Sequence, residues 1–340
     1  MGVALVGFGY WGANLARNIL AATGTELAAV VDPDADRRAA ASALRDGVAT
    51  YATLEDALAE ASVEAVAIAT PAHTHAALAL TAMESGRHVL VEKPLATTTE
   101  DAERLVATGK RSGVTCMVGH TFLYAAPVRL LREYVQGGDL GTVEYIYSQR
   151  LNLGRVRSDC NALWNFGPHD VSILLYLLDE KPSEVSATGL SYLQPDIDDV
   201  CFATLRFPSG IGANLHLSWL DPRKTRLLTV VGDKKMAVFD DVSVDQKISV
   251  FNSGVARPQG KLDEVASYGD FQWRTRSGDI LIPHVQMREP LLDEIEEFAA
   301  ACRTGRTPLT SARHGADVVR ILEAVDASTR LRGAPVTIEW

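Results

Sequence analysis

The chain has 340 residues, 47% hydrophobic and 22% charged, which is long enough for two domains with their own cores and too apolar for extended disorder. Its formal net charge of -10 argues against a nucleic-acid or anionic-membrane surface, although local basic clusters can still hold an anionic small molecule. Four scattered cysteines (Cys116, Cys160, Cys201, Cys302) without metal-ligand spacing, no apolar run of ~18 residues and no basic leader point to reduced thiols in a cytoplasmic protein.

Val3 to Val6 reads as a buried strand entering G-x-G-x-x-G at Gly7, Phe8, Gly9, Tyr10, Trp11 and Gly12, and Ala13 to Ala21 continues as a helix. Gly7 suits a tight turn, Gly9 lets a pyrophosphate approach the backbone, and Gly12 lets helix and strand pack closely. The next strand, Glu26 to Val31, delivers Asp32 where an acid accepts both ribose hydroxyls of an adenosine and repels a 2′-phosphate. NAD is therefore expected over NADP. Arg37 and Arg38 lie close by and temper that preference, unless they sit on the solvated face of the following helix.

Val63 to Ala69 is a further strand, followed by Thr70, Pro71, His73 and His75 at its carboxyl end and a helix from Thr74 to Ser85. No third ligand accompanies the two histidines, so no metal is expected. Val89, Leu90 and Val91 form a short buried strand from which Glu92 and Lys93 emerge, with Pro94 stiffening the mount. Thr97 to Asp101 start a helix that Gly113 stops, and Val114 to Val118 ends the alternation. The fold class is α/β: a Rossmann doubly wound parallel sheet over residues 1–120.

After His120 the rhythm changes. A helix, Ala126 to Gln136, gives way to Val143–Leu153, Glu184–Leu193, Val200–Phe207, Ile211–Trp219, Arg226–Val231 and Met236–Phe239, all strand-like and joined by turns. Residues 121–340 are thus expected to form an α+β substrate-binding and oligomerisation domain with a mostly antiparallel open sheet. Ser253 to Gly278 is poorly patterned and reads as loop. Helices from Glu289 to Cys302 and Ser311 to Leu331 close the chain, and the last is expected to pack back on the first domain.

Within the second region, Pro168 suits a first helical position, which would put His169 and Asp170 in the first turn, where the helix dipole keeps an imidazole neutral and basic. Just upstream, Arg150, Asn152, Arg155, Arg157 and Asp159 form either a solvated basic loop or a cradle for a phosphate or carboxylate of the substrate.

Gly7 to Gly12, Thr70-Pro71 with His75, Val91-Glu92-Lys93-Pro94 and Gly167-Pro168-His169 stand in the order and spacing of the Gfo/Idh/MocA oxidoreductases, which this chain resembles over nearly its whole length. That resemblance implies reversible oxidation of a sugar or cyclitol hydroxyl by a nicotinamide cofactor, in a homodimer or homotetramer built through the C-terminal sheet. It also makes Lys93 and His169 the catalytic lysine and histidine. The family commonly has aspartate four residues before the histidine; here Asn165 stands there, so a charged relay at that position is in doubt, and either Asp170 compensates or His169 and Lys93 suffice. Val118 to Tyr124, containing His120, with Asn161 to Asp170 and Ser218 to Pro222, is similar to the subgroup of UDP-N-acetylglucosamine 3-dehydrogenases and related nucleotide-sugar enzymes.

The expected reaction is oxidation at C3 of a nucleotide sugar, with His169 as base, Lys93 on the reacting oxygen and Glu92 near the nicotinamide ribose. Competing expectations are a keto-sugar reductase of deoxysugar biosynthesis, an inositol or free-sugar dehydrogenase, and a non-catalytic NAD-binding regulator.

Overall fold

The computed structural model describes residues 1–45, 47–60, 62–154, 156–256 and 274–340. In chain order the first stretch is β1 (Gly2–Val6), α1 (Tyr10–Ala21), β2 (Glu26–Val31), α2 (Ala35–Ser42), β3 (Ala49–Tyr51), α3 (Leu54–Leu58), β4 (Ala65–Ile68), α4 (His75–Glu84), β5 (His88–Glu92), α5 (Thr99–Ser112) and β6 (Cys116–Gly119). The six strands form one sheet in the order β3-β2-β1-β4-β5-β6, every pair parallel. β1 and β4 are buried throughout, as sheet strands with helices over both faces must be. The strand order reverses between β1 and β4, and the carboxyl ends beside that switch point are where such sheets take ligands.

α6 (Ala126–Gln136), β7 (Val143–Leu153), α7 (Ala162–Leu178), β8 (Glu184–Leu190), β9 (Val200–Arg206), β10 (Gly212–Ser218), β11 (Leu220–Gly232), β12 (Met236–Asp240), β13 (Ile248–Phe251), β14 (Gly254–Ala256), β15 (Arg274–Arg276) and β16 (Ile280–Leu281) follow. α8 (Pro290–Thr304), α9 (Ala312–Arg330) and β17 (Val336–Thr337) complete the chain. Nine of these strands form a mixed sheet in the order β16-β13-β12-β11-β7-β10-β9-β8-β17, in which β7 and β10 are parallel and the other pairs antiparallel. The alternation is clear in β9 and β10: Cys201, Ala203, Leu205, Ala213, Leu215 and Leu217 are buried, and α7 packs on these two strands. β14 and β15 make a separate two-stranded ladder where the sequence reads as loop; residues 257–273 of that stretch lie outside the described residues.

Two compact units result, Met1–Ala125 with Met287–Glu323, and Ala126–Gln286 with Ala324–Trp340. The chain therefore passes between units three times, after Ala125, Gln286 and Glu323. α8 returns to the first unit because its apolar face is needed there: Leu291, Ile295 and Phe298 belong to the same core as Leu15, Ile19, Leu90 and Met117. α9 begins in the first unit and ends in the second.

Two local expectations change. α1 begins at Tyr10 rather than Ala13, with Gly9 as its N-cap. α7 begins at Ala162, not at Pro168: Asn161 caps it by accepting the Trp164 N–H at 3.0 Å, and Pro168 lies inside the helix. His169 and Asp170 consequently sit in its third turn, beyond the reach of the dipole argument, which fades within the first turn.

Candidate active site

In the first unit the glycine turn is shaped by close packing. Gly7 has φ +92°, and a Cβ there would lie 2.8 Å from the Ala69 carbonyl oxygen; a Cβ on Gly12 would lie 2.0 Å from that of Gly7. A Cβ on Gly9 meets nothing within 4 Å, so at the N-terminus of α1 the backbone faces an open cradle, where the first helical N–H groups lack intrahelical partners. At the end of β2 Asp32 is 1% exposed; its Oδ2 accepts the Phe8 N–H at 2.8 Å and its Oδ1 the Asp34 N–H at 2.9 Å, and Arg37 lies 3.6 Å away. The carboxylate is thus fixed beside the glycine turn by backbone donors. Open glycine cradle and buried strand-end acid are the two features a nicotinamide dinucleotide requires.

Lys93 leaves β5 at its carboxyl end, half-buried, before a cis peptide bond to Pro94. Its neighbour Glu92 is buried; Oε1 accepts the Trp11 indole N–H, and Oε2 the Lys93 backbone N–H at 3.2 Å. The start of α1 and the Glu-Lys-Pro segment are therefore tied together directly. Burial pushes the Glu92 carboxyl up to about 6, against the opposing pull of the Trp11 N–H and the Lys93 charge and amide.

His75 is buried with Nδ1 2.8 Å from the Pro94 carbonyl and Nε2 2.9 Å from that of Thr70. It bridges the β4 and β5 loops, and both ring nitrogens are occupied by backbone. Burial lowers its pKa against those two hydrogen bonds. Pro71 and His73 are exposed, and Thr70 Oγ1 pairs with Thr74 Oγ1 at 2.6 Å. His120 follows β6, is 1% exposed, and meets His314 of α9 edge-on at 5.1 Å. Burial first, then His314 and Lys93, holds its imidazole well below the ordinary value.

Nothing local in the sequence points to Glu294 of α8. It is 1% exposed, Oε2 accepts the Thr121 hydroxyl at 2.6 Å, and burial followed by the charge of Glu92 raises its carboxyl well above the usual range. Tyr10, at the mouth of the glycine turn, is 83% exposed.

The second unit carries the other candidates. Asn165 and His169 are half-buried on α7 at a four-residue spacing, which puts them on one helix face. Asp170 is buried and holds Arg150 of β7 through Nε at 2.7 Å and a second guanidinium N–H at 3.2 Å, while Ser148 donates to it at 2.6 Å. This bidentate pair locks α7 onto β7, so Arg150 faces Asp170 rather than standing open as a cation, and Asp170 does not take the place of the missing aspartate. Asn152 is half-buried near the end of β7. Arg157 forks onto Asp159 at 2.9 and 2.6 Å, and Arg155 lies outside the described residues. Among the described residues no three His, Cys, Asp or Glu side chains converge as a metal ion would need, and no helix is long and apolar enough to cross a membrane.

A parallel six-stranded sheet with a glycine-turn cradle, a strand-end acid and a lysine tied to the cradle defines a nicotinamide-binding Rossmann oxidoreductase. Residues 1–120 match the model of the oxidoreductase family with NAD-binding Rossmann fold, and residues 128–238 that of the GFO/IDH/MocA C-terminal domain. The chain belongs to the Gfo/Idh/MocA oxidoreductase family, and it is an enzyme of that class. It is similar to a 2,7-anhydro-N-acetylneuraminate hydratase of Mediterraneibacter gnavus, 29% identical over 61% of this chain and 58% of the relative, so that match spans little over half the relative's length. It is also similar to the UDP-N-acetylglucosamine 3-dehydrogenase of Acidithiobacillus ferrooxidans, 28% identical over 76% of this chain and 80% of that one. Among solved structures, GenD2 from gentamicin A biosynthesis, in complex with NAD, superposes with a TM-score of 0.83 at 25% identity, covering 100% of this chain and 97% of that one.

Proposed function

We propose that this protein oxidises a ring hydroxyl, at C3, of a nucleotide-activated sugar, with NAD as hydride acceptor. The observation that carries the reading is the Trp11–Glu92 hydrogen bond, which ties the residue before Lys93 to the glycine turn at the end of the parallel sheet. Lys93 would hydrogen-bond the reacting oxygen and stabilise alkoxide charge as it develops. His169 takes the hydroxyl proton, and Asn165, one turn earlier, steadies substrate or imidazole without a charge of its own. Glu92 would lie beside the nicotinamide ribose, and Gly9 and the N-terminus of α1 would hold the pyrophosphate. The cofactor accepts hydride when bound; the residues orient the donor carbon and handle its proton. Thr70, Pro71 and His75 shape the loop at the same sheet end, His75 through its two backbone bonds.

NAD over NADP is supported by the buried Asp32 carboxylate, which would repel a 2′-phosphate, and Arg37 beside it only partly offsets that. A nucleotide sugar is supported by the basic loop, in which Arg157 forks onto the exposed Asp159 in a pair that a diphosphate can replace, and by the likeness to the UDP-N-acetylglucosamine 3-dehydrogenase. With four free cysteines the reading includes a cytoplasmic location. A homodimer or homotetramer is supported by the sheet face opposite Ile146 and Ala203, where Tyr145 stacks with Tyr147 and Phe202 with His216. An absorbance screen for NADH across UDP-sugars, TDP-sugars, inositols and free sugars tests the reading. NADH formation confined to UDP-sugars is the expected result; turnover only of inositols or free sugars contradicts it.

A further inference from the structure

Two buried carboxyl groups, Glu92 and Glu294, lie at the sheet end from which Lys93 emerges, and the proposed reaction uses only one of them. Glu92 has both oxygens engaged, by the Trp11 indole and the Lys93 amide. Glu294, brought by α8, has Oε2 held by the Thr121 hydroxyl, while Oε1 is buried with no hydrogen-bond partner among the described residues. A buried carboxylate oxygen left without a donor is costly, whereas a protonated carboxyl needs one donor fewer and adds an O–H of its own. The two carboxyls meet the chain at the end of β6: a Cβ on Gly119 would lie 3.1 Å from the Glu92 carboxyl carbon, and two residues on, Thr121 donates to Glu294, so each feels the other's charge. Trp11, Lys93 and the Gly119 backbone lie around Glu92, and Thr121 and Tyr124 lie beside Glu294. Among the described residues Lys93 is the cation acting on Glu92, and it is the residue proposed to meet the substrate oxygen. Such a pair titrates as a unit.

We propose that Glu294 and Glu92 hold one proton between them and release it to solvent when the oxidised, positively charged nicotinamide binds, so that the pair favours the oxidised cofactor over the reduced one. This rests on the reading that Glu92 lies beside the nicotinamide. Glu294 is then a positioning residue: it touches neither cofactor nor substrate and acts through Glu92. The proton leaves by Glu92, whose surface is 9% exposed, whereas Glu294 keeps 1%. The reduced ring is neutral and gives the pair no reason to ionise. As the substrate is oxidised the cationic ring becomes neutral, and the pair takes a proton back, so the extra attraction that held the oxidised ring is absent for the product cofactor.

Calorimetric titration of the full chain with NAD and with NADH, in buffers of different ionisation enthalpy at pH 7, counts the protons released. Wild type is expected to release up to about one proton with NAD and almost none with NADH. Glu294→Gln should lose most of that release and bring the NAD-to-NADH affinity ratio down about tenfold, the equivalent of one pKa unit. Infrared difference spectra of the wild type add a measurement that needs no variant: a protonated-carboxyl band should disappear on binding NAD and persist with NADH. Equal proton release with both cofactors, release unchanged in Glu294→Gln, or an unaltered carboxyl band overturns the proposal. Proton release without sugar oxidation would support the pair and overturn the proposed reaction instead, while failure of NAD to bind overturns both.

Discussion

At the level of single residues, charge placement separates groups that do chemistry from groups that hold the frame. Arg150 and Asp170 are both almost fully buried, and each is the other's partner. Removing one leaves a buried charge uncompensated, so Asp170→Ala should cost about 3–5 kcal/mol in a denaturant titration and also disturb His169, its neighbour on α7. Asp32 predicts a change of preference rather than of stability: Asp32→Ala should move the NAD-to-NADP ratio of kcat/KM towards NADP by about tenfold or more, since Arg37 stays beside the site. Glu92 carries a pH signature. Its folded pKa of about 6 is raised above the ordinary 4.5, so the folded chain keeps a proton that the unfolded chain has lost. The stabilisation is full below about 4.5 and disappears as pH rises through 6; thermal midpoints should fall over that window, and Glu92→Gln should flatten the fall.

Among the elements, much was readable. β2, β5, α5, α6 and β7 follow their apolar periodicity and end signals, because propensity, capping and burial agree there. Gly7 and Gly12 are required by close packing of the turn, Gly9 leaves the cradle open, and α1 starts from that turn. Where local rules compete, the reading failed. Pro168 looked like a helix start, but the cap at Asn161 and burial of Leu163 and Val171 carry α7 through the proline. Arg150 looked like a free cation because its partner lies on a different element. Glu294 was invisible for the same reason: nothing within α8 distinguishes it from Glu296 and Glu297, which pair with surface arginines.

Over the whole molecule, the three passages of the chain between units matter for stability. Leu291, Ile295 and Phe298 fill the core of the first unit, and burying each is worth about 1.5–3 kcal/mol. Residues 1–125 alone should therefore fail to fold to an NAD-binding unit, as judged by circular dichroism and cofactor titration, although they contain every strand of the parallel sheet. The same return of α8 supplies Glu294 to the sheet end where Lys93 emerges, so the helix that completes the core also brings the second carboxyl. The proposed role of Lys93 is to act on the reacting oxygen and not merely on the cofactor. Measuring turnover and NAD affinity together in Lys93→Met tests it most directly. The expected result is kcat lowered about 10²–10³-fold with the NAD Kd nearly unchanged; equal and modest losses in both would contradict it.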